Sequence, residues 1–332
     1  MLIKDLLHVG QATYTWDRQP TRRYNTLEKT QLDQRRILIP ALLRQSMTNT
    51  SHPVWRLMIA EWFATMLLVL IGCGAVHASV LLNAQSGVWQ VAVVWGIAIM
   101  LALFAVDSIS GAHINPAMTV AFAVWGQHPW RLVMPYVIAQ TIGAFTGAAI
   151  LFVLFSGFIA SKESEKRVIR GEPGSIVTAM CYGEYFPNPG GLAAGNSPYD
   201  PVQHEKFRIS FSHQQAWLAE FLGTAILAIV VFSLTDARNK ARPQSNLAPV
   251  FIGLAVSALI SFLGPLTQAG FNPARDFGPR LFAYLAGWGQ VAIPGLADPS
   301  WLTVYIIAPV CGAIAGGGFH QYILRPQNIS TT

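Results

Sequence analysis

Apolar residues dominate six stretches of this chain, at 55–82, 88–107, 132–158, 214–235, 247–264 and 301–323. A helix needs roughly 20 apolar residues to cross a hydrocarbon core, so each stretch predicts one membrane span. Two polar, glycine-containing segments lie between these runs, SISGAHINPAMTVAF and LTQAGFNPARDFGPRLF. Each contains the same tripeptide, Asn115-Pro116-Ala117 and Asn272-Pro273-Ala274. Asn is a strong helix N-cap and Pro is best tolerated at the first helical position, so each tripeptide predicts the start of a short helix. The positive end of that helix carries the Asn side chain. Backbone at bilayer depth must find protein partners or line a water-filled cavity. Two such helix starts in matching places predict a pore.

The two halves repeat. Ala60-Glu61-Trp62-Phe63 opens the first span and Ala219-Glu220-Phe221-Leu222 opens the fourth. With three spans per half, the second half enters the bilayer with opposite polarity and forms an inverted repeat. A two-fold axis in the membrane plane then brings both short helices to the bilayer centre from opposite sides. Gly143-xxx-Gly147 in span 3 and Gly312-xxx-Gly316 in span 6 allow close helix approach. The expected divisions are a tail at 1–53 and a channel domain at 54–325. That domain comprises a first repeat at 54–158, an outer loop at 159–213 and a second repeat at 214–325, before a short tail at 326–332.

Composition narrows the class. Hydrophobic residues make up 52% and charged residues 11% of the chain, against about 25% charged in soluble domains; mean hydropathy is +0.41. The net charge of +6 sits mainly in the predicted tails and connections. No basic patch interleaves with aromatics, so nucleic acid is not expected as a partner. The first 56 positions hold nine Lys or Arg, and the 236–246 connection holds Arg238, Lys240 and Arg242. The positive-inside rule places both termini and that connection in the cytoplasm. The first 50 residues lack a signal-peptide core and read as a disordered cytoplasmic tail. The sequons at Asn49 and Asn328 would then face away from glycosylation. Three cysteines are too few for a disulfide framework; Cys73 and Cys311 read as packing residues in spans, and Cys181 as a free loop thiol.

With its paired Asn-Pro-Ala tripeptides, SGAHIN before the first and Ala274-Arg275-Asp276-Phe277-Gly278-Pro279-Arg280 closing the second, the chain resembles the major intrinsic protein family, the aquaporins and glycerol facilitators. The resemblance runs from about Trp55 to Tyr322. It implies an all-α membrane fold of six transmembrane helices plus two half-helices, in homotetramers with one pore per chain. It also implies that Glu61 and Glu220, with Asp276, support the half-helix loops, and that four residues form the selectivity constriction: Trp95, Ile260, Ala269 and Arg275. Ile260 stands where strict water channels of the family place His. Glycerol facilitators usually have Gly and an aromatic at the positions of Ile260 and Ala269. The combination here is closer to plant nodulin-type channels. Asp276, Arg280 and Tyr185-Phe186-Pro187-Asn188-Pro189 match the glycerol-facilitator pattern, whereas Tyr305-Ile306 replaces that subfamily's Pro-Leu pair.

Permeation needs few groups. Each Asn oxygen can accept from its own helix while its amide nitrogen stays free to donate to a passing hydroxyl. Extended backbone at Gly111-Ala112-His113 and Gln268-Ala269-Gly270 would present carbonyl acceptors to the lumen. Two facing helix N-termini repel cations and protons. The expected function is a passive channel in the plasma membrane for glycerol, water and small polyols. The alternatives are a water-selective aquaporin or a nodulin-type channel for urea and metalloid hydroxides. The eight histidines show no ligand or triad spacing and no phosphate loop appears, so neither catalysis, cofactor nor metal is expected. An ion-coupled transporter would need buried charges beyond Glu61 and Glu220, whose symmetric placement suits scaffolding better.

Overall fold

The computed structural model describes residues 52–295 and 298–326. The predicted N-terminal tail, up to its last two positions, and both sequons lie outside the described residues, as does the C-terminal tail beyond Pro326. Among the described residues six helices are long and apolar enough to cross a membrane: α1 (Val54–Leu82), α2 (Val88–Ser110), α4 (Trp130–Lys166), α5 (His213–Thr235), α6 (Ala248–Thr267) and α8 (Ser300–Leu324). Two short helices, α3 (Pro116–Val124) and α7 (Pro273–Ala283), follow the second and fifth of them. No strand occurs among the described residues.

The order α1-α2-α3-α4 repeats as α5-α6-α7-α8, and the packing repeats with it. A Cβ on Gly143 of α4 would fall 2.2 Å from the Trp62 carbonyl oxygen of α1, and one on Gly312 of α8 would fall 2.3 Å from the Phe221 carbonyl of α5. The helices are therefore in backbone contact at these points. Where α2 crosses α6, Gly96 and Gly253 face one another, and a Cβ on either would lie 2.5 Å from the other's carbonyl oxygen. Both residues precede their Asn by the same 19 positions. This crossing is where the two repeats meet most closely.

Several spans outrun their apolar stretches. Helix α2 continues to Ser110 and α6 to Thr267, each closed by a left-handed residue, Gly111 (φ 78°) and Gln268 (φ 63°). Helix α4 runs eight residues past position 158, into what reads as outer loop. Its polar end is amphipathic and covered: Lys162, Glu163 and Lys166 are buried, Lys166 Nζ donates to the Ala194 carbonyl (2.8 Å), and Arg170 grips Glu163 through two hydrogen bonds. Three further short helices, Ile176–Ala179, Gly190–Ala193 and Pro201–Ser210, occupy the rest of this segment. It forms a structured cap on one end of the bundle, here called the loop face. Cys181 lies within that cap, unpaired and 1% exposed. Burial pushes its thiol up, so it is less reactive than an exposed loop thiol.

Candidate functional site: a central passage between the half-helices

Each half-helix begins at its tripeptide. Asn115 Oδ1 accepts from the Ala117 N–H (2.8 Å), and Asn272 Oδ1 accepts from Ala274 (3.1 Å) and Arg275 (3.3 Å). The amide nitrogens are not wholly free. Asn115 Nδ2 donates to the Phe271 carbonyl (2.9 Å) and Asn272 Nδ2 to the Ile114 carbonyl (2.8 Å). One hydrogen of each amide thus ties the two repeats together, and the second hydrogen is left to donate.

The segments before the tripeptides are held from behind. Glu61, fully buried, accepts from Ser110 Oγ (2.7 Å), Gln140 Nε2 (2.7 Å) and the N–H groups of His113 (2.9 Å) and Ile114 (2.8 Å). Glu220 accepts from Thr267 Oγ1 (2.6 Å) and the N–H groups of Gly270 (3.0 Å) and Phe271 (2.8 Å). Two tyrosines complete the symmetry. Tyr136 donates to the Ser110 carbonyl (2.8 Å) and Tyr305 to the Thr267 carbonyl (3.2 Å). Ser110 and Thr267 both stand five residues before their Asn, a legible signal that motif matching passes over. Tyr305 also accounts for one departure from the glycerol-facilitator pattern, because its hydroxyl takes a place in the loop support.

The loop backbone is not extended. Ala112 (φ 46°), Ile114 (46°), Gln268 (63°), Ala269 (60°) and Phe271 (52°) are left-handed. The alternation has a simple effect. In a trans peptide the C=O points opposite to the N–H of the same unit. Since the N–H groups of His113 and Ile114 point at Glu61, the carbonyls of Ala112 and His113 point away from it; Ala269 and Gly270 stand in the same relation to Glu220. Among the described residues the carbonyls of Gly111, Ala112, His113, Gln268, Ala269 and Gly270 accept no hydrogen bond. All but Gln268 belong to residues lining a central cavity of about 240 Å³.

That cavity runs from the α5–α6 connection, at Arg242 and Thr235, past both Asn residues to Trp95, Ile260, Ala269 and Arg275. Much of the rest of its lining is apolar, including Leu68, Leu103, Phe122, Leu227 and Val256. A second cavity of about 330 Å³ opens on the loop face and is lined by Gln268, Asn188 and Met180. Trp95, Ile260 and Arg275 line both cavities. They form the partition between them, and Ala269 flanks it on the central side. The Arg275 guanidinium sits 4.2 Å from the centre of the Trp95 ring. The ring fits because position 72 is glycine: a Cβ there would lie 2.2 Å from it. Gly223 likewise makes room for the Phe271 ring, 2.1 Å from its absent Cβ.

Sequence reasoning missed Glu184. It pairs with Arg275 Nη1 and is 1% exposed. A lone acid in a long connection carries no sequence signal, and its position is set by contacts distant along the chain. Asp276 accepts from the Glu184 N–H (2.7 Å) and from Arg280. Arg280 also donates to the Glu184 carbonyl and to the Ala292 carbonyl (2.8 Å). Gln268 accepts from the Tyr185 N–H (2.9 Å) and donates to the Met180 carbonyl (3.1 Å), and Asn188 donates to the Gly264 carbonyl (2.8 Å). Tyr185 lies under the Arg280 guanidinium, 4.9 Å from it; burial pushes its hydroxyl up to about 12.

An inverted repeat of apolar helices with two capped half-helices meeting beside two cavities that share a wall of Trp95, Ile260 and Arg275 defines a membrane channel. The Major intrinsic protein family model matches residues 48–320, and the chain belongs to that family. It is 37% identical over 266 residues to the propanediol uptake facilitator of Citrobacter freundii, covering 80% of this chain and 91% of that protein. It is 36% identical to the glycerol uptake facilitators of Haemophilus influenzae (79% and 91% covered) and Escherichia coli K12 (80% and 87%). Among solved structures, the aquaglyceroporin from Plasmodium falciparum aligns with a TM-score of 0.66 at 22% identity, over 82% of this chain and 97% of that one, and shares the fold.

Proposed function

We propose that the chain is a passive, bidirectional channel for glycerol and related small diols, with water following the same path and ions and protons excluded. The observation that carries this reading is the partition by Trp95, Ile260 and Arg275, with Ala269 beside it. Solute crossing from one cavity to the other meets an apolar surface, Trp95 and Ile260, and a donor surface, the Arg275 guanidinium that lies against the Trp95 ring. A polyol has the same two faces. Beyond the partition, the unbonded carbonyls and the remaining hydrogens of the two Asn amides offer acceptors and donors, and much of the remaining lining is apolar. Two helix N-termini facing each other make the centre electropositive and unfavourable to cations. The glycerol and propanediol facilitators among the relatives support this solute class.

The basic residues of the first 56 positions and of the α5–α6 connection support an orientation in the plasma membrane with those parts in the cytoplasm and the loop face outside. Exposed apolar side chains on the spans, such as Phe104, Val153 and Leu154, are available to lipid and to neighbouring copies in a homotetramer. The direct test is stopped-flow light scattering on proteoliposomes. Glycerol flux should exceed that of empty vesicles, with no proton current under a pH gradient. Fast water flux with glycerol flux at the empty-vesicle level would overturn the reading in favour of a water-selective channel.

A further inference from the structure

Each residue at the partition has a counterpart in the opposite repeat. Trp95 precedes Asn115 by 20 positions, and Ile252 precedes Asn272 by the same number. Ile260 lies 12 before Asn272, where the first repeat has Leu103. Ala269 and Ala112 each stand 3 before their Asn, and Arg275 and Met118 each stand 3 after. The register holds in three dimensions. Gly96 and Gly253, the residues after Trp95 and Ile252, face each other where α2 crosses α6, and Ala112 and Ala269 are both left-handed (φ 46° and 60°). Leu103, Ala112, Met118 and Ile252 all line the central cavity. The repeat that sets the partition between the Asn pair and the loop face sets these four between the Asn pair and the α5–α6 connection. Leu103, Ala112 and Met118 are 8%, 5% and 4% exposed, in the range of Trp95 (4%) and Ile260 (7%).

The chemistry of the two sets differs. The partition contains a charged donor, Arg275, whereas its counterpart contains no polar side chain. A hydroxyl passing there finds backbone carbonyls such as that of Ala112, which accepts no hydrogen bond among the described residues. A carbonyl accepts and cannot donate, so the hydroxyl oxygen leaves its own donors behind. Each hydroxyl moved from water without full compensation costs free energy, and the cost grows with their number. Polar side chains return one helical turn past Leu103, where Asp107 lines the same cavity. We infer that Leu103, Ala112, Met118 and Ile252 form a second selectivity ring, which favours solutes with fewer hydroxyls and ranks propane-1,2-diol above glycerol. This rests on the channel reading above and adds to it the step that separates diols from triols.

The test is stopped-flow light scattering on proteoliposomes with glycerol and with propane-1,2-diol, each corrected for empty vesicles. The wild type should pass the diol faster. Met118→Gln, close to the native side chain in size, puts a donor where the partition has Arg275, and Ile252→Thr adds a hydroxyl on α6. Each should raise the glycerol-to-diol flux ratio at least threefold while the protein elutes as wild type in gel filtration. A wild type that passes glycerol faster than the diol would overturn the ring, whatever the variants do. So would an unchanged ratio in the folded variants while both solutes still pass. If neither solute exceeds the empty-vesicle rate, the channel reading itself fails and takes the ring with it.

Discussion

Glu61 and Glu220 show what a buried acid does in this fold. Each carboxylate gathers N–H groups that a left-handed loop cannot satisfy within itself. Glu61→Gln would turn an amide group toward donors and leave one N–H unmatched, at a cost of about 1–3 kcal/mol. A lower unfolding temperature in detergent is expected, with a matching loss of glycerol flux; an unchanged melting curve would remove Glu61 from the loop support. His128 gives a pH signature. Burial lowers its ring to about 4, against about 6.5 when exposed. Below pH 6.5 the unfolded chain takes up a proton that the folded chain refuses, so stability contributed by neutral His128 is full above pH 6.5 and falls away down to pH 4. Differential scanning fluorimetry should show this slope in the wild type and a shallower one in His128→Phe. Ala269 tests the passage itself. Cys73 and Cys181 are buried, so mercurials should block the wild type poorly. Ala269→Cys should introduce block, since its thiol would face a cavity beside Arg275. A well-folded Ala269→Cys protein conducting fully in mercurial would move the constriction elsewhere.

At the scale of elements, much was legible because the signals are local. Asn at N-cap and Pro at the first helical position fix α3 and α7 within a few residues of chain, and each span is written in its own apolar run. Span ends were less legible. Hydropathy stops where the side chains turn polar, whereas the helices stop where the backbone turns left-handed, at Gly111 and Gln268. The polar end of α4 continues as helix because the cap above it buries Lys162 and Lys166, a contact set by residues far along the chain. The same limit hid Glu184, and it hid the second task of the Asn amides, since their partners lie 156 and 158 residues away. The glycines were readable as spacing, and the structure supplies the reason for them. Gly143→Ala would drive a methyl into the Trp62 carbonyl and Gly312→Ala one into that of Phe221, each at about 1–3 kcal/mol. Comparable drops in melting temperature are expected for the two, because they occupy equivalent places; a drop for only one would argue against equivalent packing in the two repeats.

At the scale of the whole molecule, one chain supplies both half-helices, so each copy should conduct independently. Mixed assemblies of wild-type chains with chains blocked at Ala269→Cys should retain glycerol flux in proportion to the wild-type fraction after mercurial treatment. Loss of all flux on incorporating one blocked copy would mean a shared passage. The hydrogen bonds from Asn115 to the Phe271 carbonyl and from Asn272 to the Ile114 carbonyl carry a consequence for the chain's architecture. They are reciprocal, as the contacts across a symmetric dimer interface are, and either half alone would present both the donor and the acceptor with nothing to receive them. A half-length polypeptide could form the same bonds by pairing about a two-fold axis with a copy of itself inserted the other way up. Its flanking charges would then have to permit entry from either side of the bilayer. Joined in one chain, each half can carry its own orientation signal, and the uneven spread of Lys and Arg along this sequence fits such a fused molecule.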